Sequence, residues 1–167
     1  MPSHYIFVDT MKQQLQLYEN GQQVKAYPVS TALNGFGEVQ GSEKTPRGWH
    51  KIRAKIGADQ PIDTVFKGRR PTGEIYSPAL AEQYPNRDWV LTRIMWLSGL
   101  EPGYNRLGNV DTMRRFIYIH GCPDEVTLEK PLSHGCVRMH NQDLLELYDR
   151  VPVGIQVFIG EKLRELA

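Results

Sequence analysis

The stretch IHGCPDEVTLEKPLSHGCVRMH, from Ile119 to His140, contains the tripeptide His-Gly-Cys twice, and the second copy starts fourteen residues after the first. It holds both cysteines of the 167-residue chain and three of its five histidines. Three chemistries explain such a concentration: a disulfide between Cys122 and Cys136, a metal held by thiolates and imidazoles, or a nucleophilic cysteine with a histidine base.

Neither the disulfide nor the metal agrees well with the sequence. A disulfide between Cys122 and Cys136 would close a loop of about fifteen residues and stabilise the fold by about 3 kcal/mol, but a reducing cytoplasm disfavours it. Paired ligands of structural zinc sites are usually about two to four residues apart, whereas a single glycine separates His from Cys in both copies. We therefore expect no disulfide, no metal and no cofactor.

A nucleophilic cysteine agrees better with the surrounding residues. A reactive thiol needs a base, a tight turn that exposes the sulfur, and N–H groups aimed at a developing oxyanion. Gly135 directly precedes Cys136 and lets the backbone approach a substrate carbonyl. His120 ends the apolar stretch RRFIYIHG, a predicted strand that would hold an imidazole in one orientation. Our hypothesis is that the first copy supplies the base and the second copy supplies the nucleophile.

The composition is that of a globular protein with one domain, which at this length buries roughly 70% of the surface of the unfolded chain. Hydrophobic residues make up 40% and charged residues 23%, and the net charge is +1. This balance gives no electrostatic reason to expect nucleic acid or an anionic membrane as a partner. The N-terminal stretch MPSHYIFVDTMKQQ lacks the features of a signal peptide or a membrane span. We expect a cytoplasmic protein, or a periplasmic one if the chain is a trimmed mature domain.

The pattern of residues predicts a mainly β fold. Alternating residues flank Asn20-Gly21, a dipeptide that favours the type I′ turn of a hairpin. From Gly57 to Tyr84, frequent Gly and Pro without a helical period predict an elaborated loop region. Apolar residues behind Asn141, a candidate cap, predict one short amphipathic helix. The strands are predicted at 3–9, within the hairpin 14–32, and at 48–56, 89–99, 114–121 and 154–160, and the helix at 141–151.

Two parts of the sequence resemble the L,D-transpeptidase catalytic domain (YkuD-like) family. The pair formed by IHG at Ile119–Gly121 and SHGCVRM at Ser133–Met139 is similar to the family signature. KTPRGWH at Lys44–His50 is similar to its Thr-Pro-x-Gly-aromatic strand. The resemblance covers essentially the whole chain. It implies a single catalytic domain over residues 1–167, a β-sandwich with one short C-terminal helix and an elaborated central loop region.

The resemblance implies a role for most residues of the signature. Cys136 would be the nucleophile and His120 the general base, and the Gly121 carbonyl would accept a hydrogen bond from the ring N–H and fix its tautomer. Backbone N–H groups around Gly135 and Cys136 would form the oxyanion hole. Arg138 would bind a substrate carboxylate. The other candidates for substrate binding are Ser133 and His134.

Some residues have simpler interpretations, and two features depart from the family pattern. The simpler interpretation of His134 is a structural role in the loop. The simpler interpretation of Arg138 is that of a surface cation. Cys122 stands where no catalytic thiol is needed, and a small buried residue is the simpler interpretation. The segment Gly57–Arg115 is longer than a minimal domain requires and could reshape the cleft.

These roles imply acyl transfer from a peptidoglycan stem tetrapeptide, the expected partner. Cys136 would attack the carbonyl of a meso-diaminopimelate residue, expel the terminal D-alanine and remain as a thioester. Water as the acceptor gives an L,D-carboxypeptidase of murein recycling, which we favour because we expect a cytoplasmic protein. A second stem peptide or a D-amino acid as the acceptor gives an L,D-transpeptidase. A non-catalytic peptidoglycan-peptide binding module is the alternative of another class, and it would need a lost nucleophile or base.

Overall fold

The structure is a computed structural model, and it describes residues 1–165. These residues form ten strands, two α-helices and a 3-10 turn at Gly108–Val110. None of the helices in this range is long and apolar enough to cross a membrane. The strands are β1 (His4–Asp9), β2 (Gln14–Glu19), β3 (Gln22–Ser30), β4 (Gly48–Ile56), β5 (Thr64–Lys67), β6 (Arg70–Ile75), β7 (Val90–Gly99), β8 (Tyr118–Gly121), β9 (Val137–Met139) and β10 (Gln156–Gly160). The helices are α1 (Pro78–Gln83) and α2 (Asn141–Arg150).

Eight of these strands close into a ring. Their order is β4-β10-β1-β2-β3-β9-β8-β7, and β7 pairs back with β4. The β1–β10 and β8–β9 pairs are parallel, and the other neighbours in the ring are antiparallel. The hairpin of β5 and β6 is attached to β7 outside the ring. The sheet therefore closes into a barrel-like sandwich, and the mainly β fold expected from the sequence is confirmed.

Aliphatic side chains from the ring and from α2 fill the interior. On α2, Leu144 and Leu147 are fully buried and Tyr148 is nearly so, in the same cluster as Met95 of β7 and Ile119 of β8. Burying a side chain of this size contributes about 1.5–3 kcal/mol. The helix α2 is therefore held in place by the same core that packs against β8, the strand that carries His120. A second, aromatic cluster includes Tyr5, Phe7, Trp49 and Phe158.

The segment predicted as a loop region contains β5, β6 and α1. No residue of α1 is fully buried, and its packed side consists of the partly buried Leu80 and Ala81, which is too little for a periodicity argument to detect. Its start is marked by local signals instead. Ser77 caps the helix by accepting the N–H of Leu80 at 3.1 Å, and Pro78 occupies the first turn.

Two further predictions of detail are corrected by the structure, and one strand was missed. The strand predicted from Arg114 begins at Tyr118, because Phe116 adopts a φ of 56° that breaks the extended chain. The three-residue strand β9 was not predicted. Asn141 is the first residue of α2 and not its cap, and the cap residue, His140, makes no side-chain capping bond. The hairpin turn has the predicted geometry, with positive φ at both turn residues, Asn20 and Gly21.

Candidate active site

Two neighbouring strands bring the two His-Gly-Cys copies together. β8 and β9 pair in parallel, with His120 opposite Arg138 and Gly121 opposite Met139. Cys136 directly precedes β9, so it lies beside the start of β8. His120 and Cys136 consequently line the same cavity, which has a volume of about 180 Å³. The placement agrees with the hypothesis that each copy supplies one reacting group, although the catalytic roles stay predictions.

The thiol of Cys136 is half-buried and is held by backbone groups of the preceding turn and strand. Its Sγ accepts the Tyr118 N–H at 3.3 Å and lies 3.5 Å from the Phe116 carbonyl oxygen. Burial raises the pKa of Cys136 to about 12, while the Tyr118 N–H and the guanidinium groups of Arg138 and Arg115 act in the opposite direction. At neutral pH the resting group is therefore a thiol, and it must lose its proton when the reaction begins.

His120 is buried and held by the next residue along the chain. Its Nδ1 lies 2.6 Å from the Gly121 carbonyl oxygen. Because a carbonyl only accepts, Nδ1 carries the hydrogen and Nε2 is the unprotonated nitrogen. Burial lowers the pKa of His120 below its ordinary value of 6.5, although the carbonyl bond acts in the opposite direction. The ring is therefore neutral at pH 7, and it can accept a proton on Nε2.

The two candidate reacting groups line one cavity but are not joined by a hydrogen bond. Among the hydrogen bonds of residues 1–165, none links the Cys136 thiol to the His120 ring. Catalytic hydrogen bonds are often long or poorly aligned without substrate and tighten in the complex. We therefore expect the proton transfer from sulfur to Nε2 to become direct only when a substrate occupies the cavity.

Gly121 is enclosed so tightly that no side chain fits. A Cβ atom there would lie 2.7 Å from the Leu91 carbonyl oxygen and would overlap Oδ1 of Asn141. The buried Asn141 amide donates to the Cys122 carbonyl at 2.9 Å and accepts from the Thr92 hydroxyl at 2.6 Å. This network fixes the Gly121–Cys122 segment, and with it the carbonyl that orients the histidine ring.

Gly121→Ala is expected to lower both stability and activity. The added methyl must displace a buried amide or backbone, which costs about 1–3 kcal/mol of unfolding free energy. The displaced carbonyl should lower kcat/KM for the D-alanine release expected from the sequence at least about tenfold. Gly21→Ala in the hairpin turn is the matched control, since it strains a left-handed residue with open space around it. It should lose stability and keep its activity; equal loss of activity in both variants would contradict the positioning role.

Ser133 and Thr45 fix the loop that carries the cysteine. The buried Ser133 hydroxyl donates to the Cys136 carbonyl at 2.6 Å and accepts the Gly135 N–H at 3.2 Å. This hydroxyl is bonded within the loop, and the binding of substrate by Ser133 stays a prediction. Thr45, from the KTPRGWH motif, donates to the Gly135 carbonyl at 3.0 Å and accepts the Ala32 N–H at 2.9 Å.

The amides predicted for the oxyanion hole differ in availability. The Gly135 N–H is bonded to Ser133, whereas the Cys136 N–H has no hydrogen-bond partner in the part of the chain that the structure describes. Gly135 has a φ of 131°, and a Cβ there would press on Ile117 at 3.3 Å and on the Lys44 carbonyl at 3.4 Å. Gly135 therefore shapes the loop, and the Cys136 N–H is the amide that can face a substrate oxygen.

Arg138 is paired with a carboxylate of the protein itself. Its Nη2 lies 3.0 Å from Oδ1 of Asp88, and its Nη1 lies 3.4 Å from the Leu132 carbonyl oxygen. Asp88, which precedes β7, also lies 3.4 Å from Nδ1 of the exposed His134. Binding of a substrate carboxylate by Arg138 stays a prediction, and it requires Asp88 to share the guanidinium.

Arg115 is a second guanidinium beside the thiol. It lines the cavity and donates to the Gly37 carbonyl at 3.1 Å and to the Lys44 carbonyl at 2.5 Å. Burial lowers the pKa of Arg115. The side chain ties the loop before Thr45 to the wall of the site, and its positive charge favours the thiolate form of Cys136.

Cys122 has different surroundings from Cys136. Its sulfur is buried and lies 3.4 Å from the Met139 carbonyl oxygen. Burial raises the pKa of Cys122 to about 12. Both cysteines are free thiols.

Residues 1–165 bring together no group of three or more His, Cys, Asp or Glu side chains that could hold a metal. The expectation of a metal-free site stays a prediction.

Four residues at or near the site were missed or misread in the sequence. Thr45 stood in a recognised motif without an assigned role, and Asn141 was interpreted as a helix cap. Asp88 and Arg115 belong to the segment that was treated as an elaboration of the domain. The sequence did offer one signal for Asp88 and Arg115, because each of these charged residues lies close to an apolar strand.

The chain belongs to the L,D-transpeptidase catalytic domain family (YkuD), whose sequence profile matches residues 3–159. It is 46% identical over 42 residues to YkuD of Bacillus subtilis (strain 168) and 41% identical over 51 residues to YbiS of Escherichia coli (strain K12). Both relatives carry L,D-transpeptidase names. These matches cover 25% and 30% of this chain, and 26% and 17% of the respective relatives.

Solved structures of L,D-transpeptidases share the fold. L,D-transpeptidase 3 from Mycobacterium tuberculosis matches with a TM-score of 0.58 at 15% identity, over 96% of this chain and 62% of that chain. An L,D-transpeptidase from Mycobacterium smegmatis matches with a TM-score of 0.55 at 17% identity, over 95% of this chain and 58% of that chain. This chain thus spans less than two thirds of either solved relative.

Proposed function

We propose that this domain is an L,D-carboxypeptidase that removes the terminal D-alanine from peptidoglycan stem tetrapeptides. It would cleave the bond between meso-diaminopimelate and D-alanine through a thioester on Cys136. The observation that carries the proposal is the placement of the Cys136 thiol and the neutral His120 ring on one cavity, in a chain of this family. Because both groups are present, a non-catalytic binding module is disfavoured.

The acylation half of the reaction follows from the two protonation states. Cys136 gives its proton to Nε2 of His120 while the sulfur attacks the diaminopimelate carbonyl carbon. The Gly121 carbonyl, 2.6 Å from Nδ1, stabilises the imidazolium that forms. The Cys136 N–H can donate to the new oxyanion. The imidazolium then protonates the nitrogen of the departing D-alanine, the carbon–nitrogen bond breaks, and the thioester remains.

Hydrolysis completes the cycle with water as the acceptor. A water molecule gives a proton to His120, attacks the thioester carbon and releases the tripeptide, and the sulfur takes the proton back. Access of water supports this step, since the cavity wall includes the exposed side chains of Asp88, Phe116 and His134. A thioester at Cys136 would therefore face solvent.

Transpeptidation is the second candidate. The cavity over Cys136 lies between two larger cavities of about 290 and 280 Å³, and His134 lines all three. Such an arrangement offers room for two peptides, one as donor and one as acceptor of the acyl group. The names of the relatives point in the same direction.

The products formed from one substrate distinguish the two candidates. A soluble tetrapeptide is incubated with the enzyme alone, and then with a second stem peptide or a D-amino acid in excess. We expect tripeptide and D-alanine in every case, because an open thioester reacts with water before an acceptor binds. Mass spectrometry of the products is the measurement. Cross-linked dimer or D-amino-acid exchange as the main product would show that the site excludes water from its thioester.

We further propose that the reaction takes place in the cytoplasm, on soluble tetrapeptides from wall turnover. Fractionation of cells that make the native full-length protein tests this location. Recovery of the protein from the periplasm alone would assign it to the polymeric wall instead, and would favour transpeptidation.

A further inference from the structure

Asp88 lies where three cavities meet. It lines the cavity over Cys136 and two neighbours of about 290 and 250 Å³. The Asp88 side chain is 46% exposed, whereas that of its partner Arg138 is only 13% exposed. A ligand that enters the cavity beside Asp88 therefore contacts the Asp88 carboxylate before it contacts the Arg138 guanidinium.

Arg138 and His134 orient the Asp88 carboxylate but do not occupy all of its acceptor positions. Oδ1 lies 3.0 Å from Arg138 Nη2, and Oδ2 lies 3.4 Å from His134 Nδ1. A carboxylate accepts about four hydrogen bonds, so further donors can still approach it. Arg138 is itself held at 3.4 Å by the Leu132 carbonyl, which keeps the pair in place.

We propose that Asp88 determines specificity by receiving the side-chain ammonium group of the diaminopimelate residue in the bound stem peptide. This inference rests on the proposed function, since it presupposes a stem tetrapeptide as substrate. The diaminopimelate side chain ends in one carbon that bears both an ammonium and a carboxylate. Asp88 and Arg138 present the opposite charges side by side, so the ammonium pairs with Asp88 and the carboxylate with Arg138.

The pairing also affects the nucleophile. The negative charge of Asp88 is one of the influences that raise the pKa of the Cys136 thiol. An ammonium bound at Asp88 offsets this charge and eases loss of the thiol proton. A substrate with the correct side chain therefore helps to activate the cysteine, whereas a substrate without the ammonium does not.

The test combines one change in the enzyme with one change in the substrate. kcat/KM for D-alanine release is measured for the wild type and for Asp88→Asn, each with the diaminopimelate tetrapeptide and with the same peptide acetylated on its side-chain amine. For the wild type we expect acetylation to lower kcat/KM at least about fivefold, and for Asp88→Asn we expect the two peptides to differ by less than about twofold. Thermal unfolding verifies that the variant is folded.

Glu43→Gln is the matched control. Glu43 lines the cavity on the other side of the site, so this variant removes one negative charge from the cleft without touching Arg138. It should keep the full preference for the free amine. If Asp88→Asn also keeps that preference, or loses activity equally on both peptides, Asp88 only holds Arg138 and the inference is overturned.

A binding measurement keeps this inference separate from the proposed function. Calorimetric titration with the diaminopimelate tripeptide and its acetylated form requires no turnover. Preference of the wild type for the free amine, lost in Asp88→Asn, supports the role of Asp88 even if D-alanine is never released. An equal preference in both proteins, or no binding to the wild type, overturns it. Failure of turnover with all peptides counts against the proposed function alone.

Discussion

Cys136→Ala should abolish the release of D-alanine from the stem tetrapeptide. The proposed reaction proceeds through a covalent bond to this sulfur, and alanine offers no atom that could replace it. We expect kcat/KM to fall by at least about a thousandfold, as for nucleophiles that act together with a base. The fold should remain intact, because within residues 1–165 the half-buried thiol bonds only to two backbone groups. Chromatographic detection of D-alanine and thermal unfolding are the two measurements.

Cys122→Ala is the control for the loss of a thiol in the same stretch of chain. Its sulfur is buried and has the Met139 carbonyl as its hydrogen-bond partner. We expect near wild-type activity, with about 1 kcal/mol of lost stability from the small cavity. Should Cys122→Ala abolish activity in a folded protein while Cys136→Ala spares it, the nucleophile has been assigned to the wrong copy of His-Gly-Cys.

His120→Ala should have an effect of nearly the same size. The Cys136 thiol has a pKa raised to about 12, so at neutral pH it cannot ionise without a base beside it. Since nucleophile and base act as one unit, we expect a loss of about a thousandfold in kcat/KM. Intact-mass measurement after incubation with substrate should show an acyl-enzyme in the wild type under rapid quenching and none in the variant.

The pH dependence gives an independent check on both groups. Because burial lowers the pKa of His120, the ring takes up its second proton only at a pH below 6.5, and the acid limb of kcat/KM should lie below that value. Because burial raises the pKa of Cys136 above the ordinary 9.0, alkylation by a small neutral reagent should keep rising beyond pH 9. Alkylation that levels off near neutral pH would reveal a preformed thiolate and imidazolium pair, contrary to this structure.

Local patterns predicted α2 and the strands other than β5, β6 and β9, because those signals lie within a few residues of each other. Asn20-Gly21 indicated a tight turn, and the apolar residues of α2 indicated its buried face. The hairpin of β5 and β6 escaped detection because its buried residues are confined to Thr64, Val65 and Phe66, and α1 because it has no fully buried residue. So few buried residues in a row leave no recognisable period in the sequence, whatever the local caps may be.

The candidate pair, His120 and Cys136, and the carbonyl that orients the histidine could be named from the sequence, but the more distant contacts of the site could not. His120 and Cys136 stand in a specific motif, whereas the partners of Arg138 and Gly135 come from distant parts of the chain. Asp88 reaches Arg138 across fifty positions, and Thr45 reaches Gly135 across ninety. Contacts of this kind depend on how the ring of strands closes, which one sequence without its fold does not reveal.

Closure of the ring also bears on how the protein behaves in concentrated solution. Each ring strand has a partner on both sides for at least part of its length, although β9 pairs with β3 only at Val29 and Ser30, and outside the ring the described sheet ends at β6. A free edge invites pairing with the edge of another molecule, which is a common route to aggregation. β6 discourages this by its composition, since Pro71 lacks an N–H, Gly73 has a φ of 87°, and Arg70 and Glu74 carry charges. The end strand β6 thus offers little backbone on which intermolecular β-sheet could grow.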